Sequence, residues 1–332
     1  MKNRIKNRIH KNHATALLAA LAMTVAATAF AETPGSSIID IKTVTVGNIN
    51  NAADTRYEGP GYGSVSYEYQ IGKYEVTNAQ YVTFLNAVVG EGPDTYSLYN
   101  STMSSSTNGG ITRNSSNVFE VKTTDWANKP VSYVSFYDAA RFTNWLTTGS
   151  TETGLYTFTD GILTSTPDHA TSTGWAIASE NEWYKAAYYN PELNEGAGGY
   201  TDYPWAGGGL PSHEQGAVNG ANYAGGGGIQ NVGYYTNAIS YFGTYDQAGN
   251  MWEWNDTIYP ENNYVSRGGS FNYVDVNLGA ASYRLNGPAY ETNSIGIRVV
   301  YLTAVPEPGT WGSAMGLTML VIGMWVRRGR RP

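Results

Sequence analysis

The 332-residue chain contains no cysteine, and that absence limits its fold and chemistry more than any residue it possesses. Without a thiol there is no disulfide framework, no Cys-ligated zinc or iron–sulfur cluster and no thiolate nucleophile. The amino terminus nevertheless reads as exported. Met1 to His13 carries Lys2, Arg4, Lys6, Arg8 and Lys11 with no acid, an apolar run follows from Ala14 to Phe30, and Ala29-Phe30-Ala31 is a small-residue cleavage site. This is the pattern of a secretory signal peptide over residues 1–31, cut before Glu32. An exported domain without disulfides must be held by its apolar core.

The other end has three parts. Pro306-Glu307-Pro308 precedes an apolar stretch over 311–326, closed by Arg327, Arg328, Arg330 and Arg331. The stretch is a candidate transmembrane segment with Trp311 and Trp325 at the two interfaces. The three parts together resemble the PEP-CTERM sorting signal (residues 305–332), cut by the membrane transpeptidase-like exosortase of Gram-negative, often biofilm-forming bacteria. The resemblance implies a chain that is exported and anchored transiently in the inner membrane. It is then released or attached at the cell surface or in the extracellular matrix, and it meets the membrane through this segment alone. Setting aside the five basic residues of the leader and the four terminal arginines leaves 11 basic residues, and setting aside Glu307 leaves 26 acidic ones. The portion from 32 to 304 thus carries −15, the wrong sign for a nucleic-acid binder and a suitable one for divalent cations or cationic partners.

A Pro/Gly-rich patch at Glu58 to Gly63 separates an amino-terminal arm, residues 32–64, from the remainder. Ile39, Ile41, Val44 and Val46 predict one strand in the arm. Val65, Tyr67, Tyr69 and Ile71 alternate with polar residues and predict a second, half-buried strand. Three helices are announced by a hydroxyl N-cap with a reciprocating side chain three residues on: Thr77 with Gln80, Ser135 with Asp138, and Ser179 with Glu182. The first is expected to bury Ala79, Val82 and Leu85. The second should bury Ala139, Phe142 and Leu146, and the third Trp183, Ala186 and Ala187. Between them lie a Ser/Thr/Asn-rich stretch, 101–117, and a Gly-rich one, 194–229. Tyr200, Tyr203, Trp205 and Tyr223 are placed to pin the latter onto a core. The composition predicts one irregular α+β domain.

Catalytic motifs are scarce. His169 and His213 are the only histidines beyond the leader, and each reads as a surface residue in a polar loop. GxSxG, HExxH, Walker and GxGxxG patterns do not occur.

The richest region runs from Phe242 to Val300. Asp246-Gln247-Ala248-Gly249-Asn250-Met251-Trp252-Glu253-Trp254 is followed by Arg267-Gly268-Gly269-Ser270, by Ser282-Tyr283-Arg284 and by Ile295-Gly296-Ile297-Arg298. Together with Tyr74-Glu75-Val76-Thr77-Asn78, Lys129-Pro130-Val131 and Ala178-Ser179-Glu180-Asn181-Glu182-Trp183, these segments resemble the sulfatase-modifying-factor, or formylglycine-generating-enzyme, family over residues 65–301. The resemblance implies an irregular C-type lectin-like fold. It also places the two cysteines that hold copper and the substrate thiol at Tyr273 and Leu278, neither of which can ligate Cu(I) or pair with a thiol. A polar pocket position is changed to Ser294. Iron-dependent relatives take histidines from an additional domain that this chain lacks, so copper, zinc and iron are not expected. Calcium is: the resemblance puts one ion at Asp246, Gly249, Met251 and Glu253, and a second at Asn222 and Tyr223. Trp252, Trp254, Ser270 and Arg284 match residues that line or support the family pocket, with Trp254 and Arg284 expected to be structural.

The leading functional expectation is a non-catalytic binding or matrix module. Its loops use the Tyr, Gly, Asn and Ser alphabet of adaptable binding surfaces, with Trp252, Ser270, Tyr273, Asn277, Tyr290 and Asn293 as candidate contacts to a saccharide or matrix protein. An enzyme of another reaction on the same scaffold, and a structural biofilm-matrix protein without specific ligand, are the alternatives.

Overall fold

All three capping boxes close in full. Thr77, Ser135 and Ser179 each accept from the amide of the third helical residue, and Gln80, Asp138 and Glu182 each accept from the cap's own amide. They start helices Asn78–Val88, Phe136–Thr148 and Glu180–Tyr188. A cap of this kind satisfies two of the four orphan amides at a helix start, worth about 1 kcal/mol. The computed structural model describes residues 39–304 apart from 91, 206, 207 and 226. The leader expected over 1–31, the beginning of the arm and the sorting segment expected over 305–332 lie outside the described residues. Among the described residues no helix is long and apolar enough to cross a membrane.

Two four-stranded sheets organise the chain. In the first, Thr43–Val46, Tyr69–Gly72, Val299–Leu302 and Gly174–Ile177 lie side by side, antiparallel throughout. The arm therefore contributes an edge strand, and the closing strand sits between the opening one and the strand that leads into the third helix. The half-buried strand forms only over its last four residues, although the alternation from Val65 onward holds: Val65, Tyr69 and Ile71 are buried, Ser66 and Glu68 exposed. The second sheet orders Arg284–Asn286, Asn263–Arg267, Trp252–Tyr259 and Ile295–Gly296, the last pair parallel. It carries every strand of the Phe242–Val300 region except the closing one, Val299–Leu302.

The core is aromatic. The first helix buries Tyr81, Phe84 and Leu85, whereas Ala79 and Val82 are only half-buried. The ring pair reaches deeper than the small aliphatics, so the stripe is rotated from the expected one. Phe84 meets Phe142 edge-on at 5.4 Å between centroids, and Phe136 stacks on Tyr264 at 3.6 Å, joining helices to the second sheet. The second and third helices bury the residues expected of them. The Gly-rich stretch is pinned as its aromatic residues predict: Tyr203 stacks on Trp205, and Trp205, Ala221, Tyr235, Ala238, Ala248 and Leu278 make a separate small core.

Candidate functional site

The turn before Trp252–Tyr259 is fixed by one glycine. Gly249 has φ +86° and its Cα lies against the Asn222 carbonyl, where an added Cβ would stand 2.1 Å from that oxygen; no L side chain fits. The turn holds two backbone bonds, Gly249 N–H to the Gly268 carbonyl and Asn250 N–H to the Asn222 carbonyl. The start of the strand and the Arg267-Gly268-Gly269-Ser270 segment are thereby clamped together.

Just beyond it, Glu253 is fully buried and both its oxygens are engaged. Oε1 accepts from Arg298 Nη2 at 2.6 Å, and Oε2 accepts from Arg298 Nε at 2.7 Å and Trp183 Nε1 at 2.5 Å. Arg298, equally buried, also donates to the carbonyls of Gly72 and Tyr245. Asp246 accepts from the Gly233 amide, and burial pushes its carboxyl up to about 6. Glu75 accepts from Asn250, and burial, reinforced by the charges of Asp246 and Glu253, holds it well above the usual carboxylate range. Arg298 thus supplies a cation to Glu253. The set Asp246, Gly249, Met251 and Glu253 does not fit calcium as arranged, because its strongest ligand is already the counter-ion of Arg298. At the second expected position the donor chemistry differs. Asn222 Nδ2 donates to the Gly228 carbonyl and to Asn250 Oδ1, while its Oδ1 is buried with no partner. Tyr223 stacks on the exposed His213 ring at 3.8 Å. Among the described residues there is no group of three acidic or histidine side chains able to hold a metal.

The expected pocket is filled from within. Tyr273, at one position where a cysteine was implied, meets Trp252 edge-on at 5.6 Å, and its hydroxyl accepts from Arg284 Nη1 at 2.8 Å. The Arg284 guanidinium lies over both rings. Leu278, at the other position, is 0% exposed within the small core. Trp252 is fully buried with its indole N–H unpartnered, and Ser270, also buried, donates to Asn272 Oδ1. Ser294 is buried, and its carbonyl accepts from the Trp252 amide. Trp254 donates to the Val134 carbonyl, as a structural residue would. Of the six candidate contacts, Trp252 and Ser270 thus belong to the interior. Tyr273, Asn277 and Asn293 are half-buried, and Tyr290 is exposed. Val274 and Val276, at the Asp275–Leu278 turn, and Tyr283 and Leu285 are exposed on the same stretch of chain.

Two clusters escaped the sequence reading. His169 is not a surface residue: its Nδ1 lies 2.9 Å from Glu182 and its Nε2 3.2 Å from Asp256, with the side chain 11% exposed. Burial alone lowers an imidazole pKa. The charge of Glu182 and the bonds to Asp256 and Glu182 outweigh it and lift His169 to about 10. Tyr67 and Tyr156 add hydroxyl bonds to the same two carboxylates. The second brings Asp138, known from sequence only as a cap, and Glu291 to line one cavity. Neither grouping has a sequence signal, since 87 residues separate His169 from Asp256 and 153 separate Asp138 from Glu291.

The model of the sulfatase-modifying factor enzyme 1-like domain matches residues 26–302. Among solved structures, the crystal structure of CarF superposes with a TM-score of 0.53 at 22% identity, covering 80% of this chain and 100% of its own. Treponema denticola variable protein 1 gives 0.52 at 19% identity, covering 82% of this chain and 98% of its own. At these identities the likeness is one of fold. No curated protein matches the sequence.

Proposed function

From a chain that belongs to the sulfatase-modifying factor enzyme 1-like family, we propose an exported binding or extracellular-matrix module that keeps the family's scaffold without its thiol chemistry. One observation carries this reading. The two positions implied for the oxidase cysteines are built into the packing, Leu278 at 0% exposure and Tyr273 between Trp252 and Arg284. A buried leucine and a hydrogen-bonded phenol supply neither a soft metal ligand nor a disulfide partner.

The ligand of this reading is a saccharide or a matrix protein, met at the face around Tyr290, Asn277 and Asn293. Its support is that Val276 at 69%, Val274 at 55% and Tyr290 at 41% are left exposed on the chain that carries these residues. Large apolar groups grouped at a surface mark interaction sites more often than single ones do. The residues 1–31 and 305–332, with Pro306-Glu307-Pro308 read by an exosortase and Arg327 and Arg328 held inside, would deliver it to the cell surface or matrix. Calcium has a place in the reading only at Asn222 and Tyr223, where the orphaned Oδ1 of Asn222 is free to ligate. The test is an array of saccharides and matrix proteins probed with the purified chain and with Tyr290→Ala and Val276→Asp. Retention of a specific ligand by the native chain, lost in both variants, supports the reading. A chain that retains nothing on such an array, or variants that bind as well as the native chain, contradicts it.

A further inference from the structure

A cleft of about 350 Å³ opens between the Pro/Gly patch of the arm, the start of helix Glu180–Tyr188 and the end of strand Trp252–Tyr259. Its size falls at the lower end of small-molecule sites, about 300–1,000 Å³. Glu180 lines it, with a side chain only 6% exposed. Oε1 accepts from both Nε and Nη2 of Arg267, at 2.8 and 2.6 Å. Among the described residues Oε2 accepts no hydrogen bond, and it is not sealed from solvent. A charged acceptor is therefore left open in a largely buried side chain.

Two donors stand beside it. Asn181 is oriented by a bond of its own, since Oδ1 accepts from the Gly63 amide at 2.8 Å. Its Nδ2 is thereby turned away from Gly63 at the exposed rim, with both hydrogens unspent. Thr257 Oγ1 accepts from the Glu180 amide at 3.0 Å and keeps its own hydrogen free. The walls are aromatic. Tyr62 is buried and its hydroxyl donates to the Glu58 carbonyl, while Tyr259 is half-buried and leans on Tyr283 at 5.9 Å between centroids.

Charge selects among ligands. Arg267, 0% exposed, neutralises Glu180 from behind and lies over the rings of Tyr62 and Tyr283 at 4.7 and 5.5 Å. A cation would find the carboxylate already paired and a guanidinium on those rings. An anion would meet the open carboxylate oxygen, with the exposed Glu58 and Glu261 in the adjoining chain. A neutral ligand rich in hydroxyls meets neither obstacle.

We propose that this cleft binds a ring of a neutral saccharide. One hydroxyl donates to Glu180 Oε2, its neighbour accepts from Asn181 Nδ2, and the C–H face of the ring lies on Tyr259. Adjacent sugar hydroxyls both donate and accept, so one ring can answer a fixed acceptor and a fixed donor side by side. Its C–H groups match the negative face of a phenol ring. An extended peptide, the other neutral candidate, draws on repeated main-chain partners along a groove, and this cleft offers one short set. The site shares no residue with the Tyr290 face, so each can fail without the other.

The experiment is calorimetric titration of the full chain with maltotetraose, cellotetraose and mannotetraose. Tetragalacturonate is the anionic control, a chitosan tetramer the cationic one and a polyproline decapeptide the extended neutral one. At least one neutral sugar should bind, and more tightly than any control. Asn181→Asp keeps the acceptor that Gly63 needs and removes both donors, and Tyr259→Ala removes the ring. Each should weaken that sugar by about tenfold or more, whereas Tyr290→Ala should leave it unchanged. Asn181→Asp, at an exposed position, decides alone if Tyr259→Ala melts early. Four results overturn the proposal: no neutral sugar binds, a control binds more tightly than the sugars, Asn181→Asp or a folded Tyr259→Ala binds as the native chain does, or Tyr290→Ala weakens binding as much as they do.

Discussion

Replacing His169 by alanine should be among the most damaging single changes in the chain. The imidazolium lies between two carboxylates whose side chains are 0% and 4% exposed, Glu182 and Asp256, and its removal leaves both without their shared cation. Breaking a buried pair in this way costs roughly 3–5 kcal/mol. The raised pKa, which has the same two carboxylates as its cause, leads to a figure of the same order. At about 1.4 kcal/mol for each pKa unit, raising the imidazole from 6.5 to about 10 corresponds to roughly 5 kcal/mol. For a domain of this size that is a fall of about 6–20 °C in melting temperature. The pH dependence has a definite sign. A group whose folded pKa lies above its unfolded value contributes fully below about 6.5, and the contribution is lost as pH rises toward about 10. Urea denaturation of the native chain and His169→Ala at a series of pH values measures the difference directly. It should be largest at pH 6 to 7 and close progressively up to pH 10. A difference below about 1 kcal/mol at pH 7, or one that stays flat across that window, would refute the buried-clamp account.

Leu278→Ala, at a fully buried position, should cost about 2–5 kcal/mol in chemical denaturation; a loss under about 1 kcal/mol would mean the small core is not packed there. Ser135→Ala removes one half of a capping box and should cost about 1 kcal/mol, with helicity otherwise kept. Because Asp138 in turn loses the hydroxyl that Ser135 donates to it, the variant should also raise the Asp138 pKa above its native value, readable by NMR titration. In calcium at millimolar concentration the melting midpoint should rise above that in chelator, because Arg298 holds Glu253 while Asn222 keeps an unpartnered oxygen; an unchanged midpoint would remove calcium from the account. A rise that survives Glu253→Gln and disappears in Asn222→Ala would place the ion at the orphaned Asn222 oxygen.

Local grammar was legible in the sequence and long-range partnership was not. The three capping boxes could be read because a cap and its reciprocating side chain sit three residues apart and obey one geometry. The pinning of the Gly-rich stretch could be read because Trp205 and its neighbouring tyrosines have more apolar area than a loop can leave in water. The first helix was misjudged by one face, since spacing alone cannot tell which of two overlapping stripes buries more, and the rings of Tyr81 and Phe84 prevailed over Ala79 and Val82. Glu253 was anticipated as a calcium ligand, and its ion pair with Arg298 was not. The two lie 45 residues apart, and nothing in either segment announces the pairing. His169 gave no signal, because a histidine in a polar loop looks the same whether it faces water or two buried carboxylates.

The central claim is that this scaffold has given up thiol oxidation, with Tyr273 and Leu278 packed where sulfur would be needed. It is tested most directly by incubating the purified chain, loaded with copper and supplied with oxygen, with a cysteine-bearing sulfatase peptide and following the peptide by mass spectrometry. The account predicts that the cysteine stays unconverted at every time point. Formation of the formylglycine aldehyde at a rate that depends on the concentration of the chain would contradict it.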